Sequence, residues 1–228
     1  MKGRIAETFL SLQGEGIWAG TPSFFIRFSG CNLRCRWCDT PYASWKPEGP
    51  IREIEEVAAE AIKAGSKHIV ITGGEPMLFD AIEPLATSLR AAGKVITIET
   101  AGTVFRQVEC DLMSISPKLS NSDPELSEDA LTAKHRETRK NVEPLRRLIG
   151  AYDYQLKFVV AEAGDLPEIL ELQRALKAPS ERILLMPEGT ESEKLADTAK
   201  KLTPICIEHG FRLSPRLHID LFGNTRGT

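Results

Sequence analysis

Cys31, Cys35 and Cys38 fall in one short run, Cys31-Asn-Leu-Arg-Cys35-Arg-Trp-Cys38, with the spacing C-x3-C-x2-C. Thiolates this close along a chain can converge on one soft metal centre. Structural zinc asks for four ligands, usually as two CxxC elements or one CxxC with paired histidines, and no second pair accompanies this run. Three thiolates with one position left open instead suit a 4Fe–4S cluster whose fourth iron accepts a ligand from outside the protein. The other two of the five cysteines, Cys110 and Cys206, stand alone in apolar, strand-like contexts and read as buried packing residues. An odd count, with no apolar signal core behind Met-Lys-Gly-Arg-Ile, argues against a disulfide framework and leads us to expect a cytoplasmic protein.

Two further places carry chemistry. In Phe24-Phe-Ile-Arg-Phe-Ser29, alternation puts Phe25, Arg27 and Ser29 on one face and Phe24, Ile26 and Phe28 on the other. Both faces of a barrel strand are normally apolar, so the guanidinium of Arg27 needs an anionic partner. That partner is either a ligand carboxylate held bidentately or a salt bridge to Glu7, Glu15 or Glu99. Thr72-Gly73-Gly74-Glu75-Pro76 ends another apolar run. It reads either as an ordinary βα turn or as a place where the backbone approaches a ligand and a carboxylate receives an ammonium group.

These groups need a frame. Apolar, β-branched runs predict strands over 5–10, 24–29, 68–72, 95–100, 112–116, 155–160 and 183–186. Ile54, Val57, Ala58, Ala61 and Ile62 recur at helical spacing, as do Ile82, Leu85, Leu89 and Ala92, and 166–176 and 195–202 follow the same pattern. Such β-α-β alternation with right-handed crossovers makes a parallel sheet covered by helices. About six units, in a chain shorter than the ~250 residues of a full eightfold barrel, indicate an α/β fold of the partial (βα)6-barrel type, with a doubly wound open sheet as the alternative. Residues 42–50, bounded by prolines, read as a loop, and the charged stretch 119–147 as an excursion with a helical second half within a single domain spanning 1–228. A hydrophobic content of 42% and a charged content of 27% exclude a disordered or collagen-like chain. The net charge of -3 gives no sign of nucleic acid as a partner, and no apolar run approaches the ~20 residues of a membrane helix.

The cysteine run, placed just after the first strands, resembles the signature of the radical S-adenosylmethionine (SAM) enzymes, and Gly73-Gly74-Glu75 looks like that family's cofactor motif. The resemblance implies a βα barrel, full or partial, a cluster whose open iron is chelated by S-adenosylmethionine, and a 5′-deoxyadenosyl radical that abstracts hydrogen. A narrower resemblance, to the 7-carboxy-7-deazaguanine synthase family of queuosine biosynthesis, rests on strings from end to end. They are Glu7-Thr-Phe-Leu-Ser-Leu12-Gln13-Gly14-Glu15-Gly16, Arg27, Asp39-Thr40 after the third cysteine, Ser116-Pro117-Lys118 and Met186-Pro187-Glu188-Gly189. This second resemblance implies substrate contacts at Leu12, Gln13, Gly14, Arg27 and Thr72. It implies S-adenosylmethionine contacts at Trp37, Cys38, Asp39, Gly74, Ser116, Pro117, Lys118, Met186, Pro187, Glu188 and Gly189, and cluster ligation by Cys31, Cys35 and Cys38. It also implies magnesium on the hydroxyl of Thr40, with substrate and water completing the shell, as suits a hard cation that keeps its waters. From the residues alone Thr40 is a helix cap or turn residue.

The implied reaction is contraction of 6-carboxy-5,6,7,8-tetrahydropterin to 7-carboxy-7-deazaguanine and ammonia, in a homodimer fed by an external electron donor such as flavodoxin. Neither nucleic acid nor membrane enters it. Ala101 departs from the family, which commonly has asparagine there, and removes a side-chain contact. His218 resembles a substrate-proximal histidine and reads equally as a core or surface imidazole; the 220–228 tail carries no contact over. Two other readings stand beside this one. A glycyl-radical-enzyme activase shares the cysteine run and Gly-Gly-Glu but has no need of Arg27 or Leu12-Gln13-Gly14. A zinc-bearing RNA-binding module is opposed by the negative net charge.

Overall fold

The computed structural model describes residues 1–124 and 130–228. The chain runs through β1 (Lys2–Leu12), β2 (Pro22–Phe28), α1 (Pro41–Ser44), β3 (Ile51–Glu53), α2 (Ile54–Lys63), β4 (His68–Gly73), α3 (Ile82–Ala91), β5 (Val95–Thr100) and β6 (Leu112–Ile115). Then come α4 (Ala130–Lys140), α5 (Glu143–Ala151), β7 (Tyr154–Val160), α6 (Leu166–Leu176), β8 (Ile183–Pro187), α7 (Ser192–His209), β9 (Arg212–Leu213) and α8 (Leu217–Phe222). The strands join in one open sheet, ordered β3-β1-β2-β4-β5-β6-β7-β8-β9. From β2 onward every pairing is parallel. Seven parallel strands in sequence order, the last of only two residues, flanked by helices and not closed on themselves, make the expected partial barrel.

All seven expected strands form, and four features differ from the sequence reading. β1 is antiparallel to both β2 and β3, because the connection over 13–21 is too short for the crossover of a dozen or more residues that a parallel pair requires. No helix joins β5 to β6. The stretch after the cysteines is not wholly loop, since α1 opens it with Pro41 at its first turn, where a missing N–H costs nothing. Cys110 lies outside any strand, in the connection before β6, and Cys206 is buried within α7; both still pack on the apolar core. The charged excursion folds as α4 and α5, while its residues 125–129 lie outside those described.

Alternation along the parallel strands separates two environments. Phe24, Ile26, Phe28, Ile69, Ile71, Ile96, Ile98, Leu156 and Phe158 face the helices and form the core, each large side chain contributing about 1.5–3 kcal/mol on burial. Helix α2 meets them with Ile54, Val57, Ala58 and Ala61, and its first-turn Glu55 and Glu56 and last-turn Lys63 complement the helix dipole. The other face carries Arg27, Thr72, Glu99, Ser114 and Lys157, which line a cavity. The expectation that both faces of these strands are apolar therefore fails, and Arg27 is one of several polar groups there.

Candidate active site

The cavity, of about 460 Å³, lies at the C-terminal ends of the parallel strands, where βα folds gather their functional loops. Cys31, Cys35 and Cys38 line one side of it. Their loop is pinned at its start, where Gly30 N donates to Ala43 O at 2.7 Å and Glu75 N donates to Gly30 O at 2.9 Å. A Cβ on Gly74 would sit 2.3 Å from Gly30 O and 2.6 Å from Ala43 O, so only glycine lets the end of β4 pass this close to the cysteine loop. Glu75 is fully buried and does not face the cavity. It accepts from Met77 N at 3.1 Å, Thr100 Oγ1 at 2.8 Å and Ala101 N at 2.8 Å, lacing the end of β4 to the end of β5. The Gly-Gly-Glu carboxylate, for which receipt of an ammonium group was one of two readings, thus accepts three hydrogen bonds in the frame.

Burial pushes the Cys31 thiol up to about 12 and the Cys35 thiol up to about 11, so loading metal here must displace protons. Among the described residues, no group of three or more His, Cys, Asp or Glu is arranged to hold a single metal ion. Three thiols lining one cavity supply three ligands of the kind a 4Fe–4S cluster takes, one short of the four of a structural zinc. Thr40 occupies the N-cap position of α1, yet its hydroxyl makes no capping bond and lines the cavity, 3.9 Å from Cys38 Sγ. That hydroxyl, whose one side-chain contact is the long hydrogen bond to Cys38 Sγ, keeps lone pairs for a magnesium ion that retains most of its waters. Trp37 donates through Nε1 to Asn121 O at 3.0 Å, and Lys118 Nζ lies 5.3 Å over its ring while donating to Ser116 Oγ at 2.8 Å.

Across the cavity, Arg27 Nε donates to Glu7 Oε1 at 2.7 Å. The salt bridge anticipated as one alternative is present, and it uses only one edge of the guanidinium. Nη1 and Nη2 make no protein hydrogen bond among the described residues, and the side chain lines the cavity above the stacked rings of Phe9 and Phe25. Glu7 also accepts from Tyr42 Oη at 2.7 Å and Arg226 Nε at 3.2 Å. Burial raises its carboxyl, but those donors outweigh the effect and hold it below the usual carboxylate range. Glu99 accepts from Gln13 Nε2 at 3.1 Å and Thr72 Oγ1 at 2.9 Å. Lys157 pairs with Glu15, and Arg216 bridges Glu15 at 3.1 Å to Asp39 and to Gly189 O. Burial pushes Glu15 up, yet Lys157 and Arg216 together hold it far below its ordinary value. His218 packs on Gly14, where a Cβ would lie 2.0 Å from its Nδ1.

Of the residues marked in the sequence, Leu12, Gln13, Gly14, Arg27, Thr72, Trp37, Asp39, Thr40, Gly74, Ser116, Lys118, Met186 and the three cysteines come together around the cavity. Pro117, Pro187, Glu188 and Gly189 lie outside its lining; Glu188 turns to Lys194 at 2.9 Å, and the Gly189 carbonyl is taken by Arg216. The sequence reading missed Lys157, Tyr42 and Arg216, and gave Glu99 and Glu15 no role of their own beyond a possible pairing with Arg27 and, for Glu15, a place in the N-terminal string. Lys157 carries the signal that singled out Arg27, a cation within an apolar strand.

Residues 25–154 match the family model of the radical SAM superfamily. The 7-carboxy-7-deazaguanine synthase of Rhodopirellula baltica is 48% identical over 226 residues, 98% of this chain and 88% of that protein. This chain belongs to the 7-carboxy-7-deazaguanine synthase family of the radical SAM superfamily. The family's Halobacterium salinarum member is 41% identical over 236 residues, covering 98% of this chain and 92% of that one. The crystal structure of QueE from Escherichia coli shares the fold at a TM-score of 0.68 and 28% identity, over 94% of this chain and 93% of that one. Membership in the radical SAM superfamily implies a 4Fe–4S cluster and S-adenosylmethionine and sets aside the zinc-module reading, and the match to the synthases over 98% of the chain sets aside the activase. No helix among the described residues is long and apolar enough to cross a membrane.

Proposed function

We propose that the chain converts 6-carboxy-5,6,7,8-tetrahydropterin to 7-carboxy-7-deazaguanine with release of ammonia. The observation that carries this reading is Arg27, whose half-used guanidinium faces the same cavity as the three cysteines, in a chain aligned over 98% of its length with a synthase of that name. When bound, the cluster and S-adenosylmethionine supply a hydrogen-abstracting radical through one-electron cleavage. The remaining work falls to this chain.

Arg27 takes the substrate carboxylate on its Nη edge, fixing the reacting carbon against the cysteine side of the cavity. Gln13, Thr72 and Glu99, already bonded to one another, present donors and acceptors to the polar edge of the pterin, with Leu12, Phe9 and Phe25 as apolar surroundings. Trp37, Gly74, Ser116, Lys118 and Met186 hold S-adenosylmethionine, and Thr40 holds magnesium. The buried ion pairs of Glu15 with Lys157 and Arg216, extended to Asp39 and Glu99, hold this part of the site rigid. An external one-electron donor such as flavodoxin, a homodimeric assembly and a cytoplasmic setting complete the proposal. Anaerobic incubation with reductant, S-adenosylmethionine and the carboxypterin, with and without magnesium, tests it. Formation of 7-carboxy-7-deazaguanine with stoichiometric ammonia is expected, and its absence from a cluster-loaded protein rejects the assignment.

A further inference from the structure

The charged excursion, which the proposed reaction does not use, reaches the cysteine run through a buried histidine. His135 on α4 has a side chain with no solvent exposure. Its Nδ1 accepts the backbone N–H of Arg34 at 3.0 Å. Its Nε2 lies 3.2 Å from Ser122 Oγ and 3.6 Å from Asp123 Oδ1. The Ser122 hydroxyl donates its own proton to Leu119 O at 2.6 Å, so toward the imidazole it can only accept. The proton of a neutral His135 must therefore sit on Nε2, which leaves the Nδ1 lone pair for Arg34. Burial, the largest influence on this ring, favours the neutral form. On the other side of Cys35, Arg36 N donates to Ser122 O at 3.1 Å. Both amides flanking the middle cysteine are thus held by one segment.

The charges of that segment have a use of their own. Asp123 is clamped by Arg136 at 2.9 Å and Arg139 at 2.6 Å, and Arg139 also reaches Glu168 on α6 at 2.9 Å. Ion pairs dock α4, and docked α4 presents His135. We propose that His135 is a positioning residue for the cysteine loop: by accepting the Arg34 amide it fixes the curvature that brings Cys31, Cys35 and Cys38 around one cluster. This rests on the reading of those cysteines as cluster ligands.

The test measures cluster retention in anaerobically reconstituted holoenzyme, following the decay of sulfur-to-iron charge-transfer absorbance under an iron chelator. Iron and sulfide content and the electron paramagnetic resonance spectrum of the reduced cluster are recorded alongside. His135→Asn keeps an acceptor near Nδ1, His135→Gln moves it toward Nε2, and His135→Leu removes it. Leaving the Arg34 N–H without its acceptor predicts cluster loss ~10-fold faster in His135→Leu and His135→Gln, with His135→Asn within ~3-fold of wild type. Wild-type decay in His135→Leu overturns the proposal, as does equal decay in the Asn and Gln variants. If the leucine variant fails to fold, the Asn–Gln comparison decides by itself. A wild-type protein that binds no cluster overturns the underlying reading instead, so the two failures are distinct.

Discussion

Replacing Arg27 by glutamine separates its two partners, the internal carboxylate of Glu7 and the proposed ligand carboxylate. The Nη edge left free by Glu7 can make two parallel charge-assisted hydrogen bonds to a carboxylate. At ~1.5–3 kcal/mol for each bond to a charged group, and with glutamine recovering part of this, the net loss is about 3 kcal/mol, or ~150-fold in Kd. The assay is anaerobic binding of two inert oxidised ligands, 6-carboxypterin and pterin, to wild type and Arg27→Gln. We expect the ~150-fold loss for 6-carboxypterin and less than ~3-fold for pterin. The fold itself should suffer less than the ~3–5 kcal/mol typical of a buried ion left alone, because Tyr42 and Arg226 still donate to Glu7. A cost of ~1–2 kcal/mol corresponds to a Tm lower by roughly 2–8 °C in a chain of this size. Equal weakening of both ligands would refute the reasoning, since Arg27 would then serve only as the structural partner of Glu7.

Gly74→Ala sets a Cβ against two backbone oxygens that no rotamer change can relieve, and should cost ~3 kcal/mol or more by urea denaturation; an unchanged midpoint would show that the loops shift freely. His68 is buried between Ser23 and Thr97, beneath Trp18, and burial pushes it down to about 4. The unfolded chain binds its proton near pH 6.5, so this contribution is complete above that pH and is lost as pH falls toward 4, by ~3 kcal/mol. Urea midpoints across that window should fall steeply in wild type and less steeply in His68→Asn, and parallel curves would contradict the assignment. Thr40→Ala should raise the magnesium concentration for half-maximal turnover by ~10-fold or more, with Thr40→Ser restoring it; an unchanged magnesium response would remove Thr40 from the metal.

The sequence was most informative where chemistry is local. The spacing of Cys31, Cys35 and Cys38 on one loop announces a shared centre because three side chains a few residues apart can hardly avoid one another. The apolar runs announce seven strands because burial demands continuous hydrophobic residues, and the order of those runs implies the parallel sheet. β3 and β9 escaped notice because strands of three and two residues carry no period, and the antiparallel β1 because direction depends on how far a connection reaches.

What the local pattern could not contain is pairing over long separations. Glu75 follows two glycines as a ligand-binding carboxylate would, yet the fold supplies it with Thr100 and Ala101 and turns it into a strut. Arg27 was ambiguous between two partners, and the structure gives Glu7 one edge of the guanidinium while leaving the other edge to the cavity. Arg216 meets Glu15 across 201 positions, and His135 meets Arg34 across 101. The chain alone determined which chemistry is present and which strands carry it, because those depend on neighbours in sequence. The tertiary structure decided which charges are consumed in the frame and which are left to act, because a buried charge takes the partner that packing places beside it.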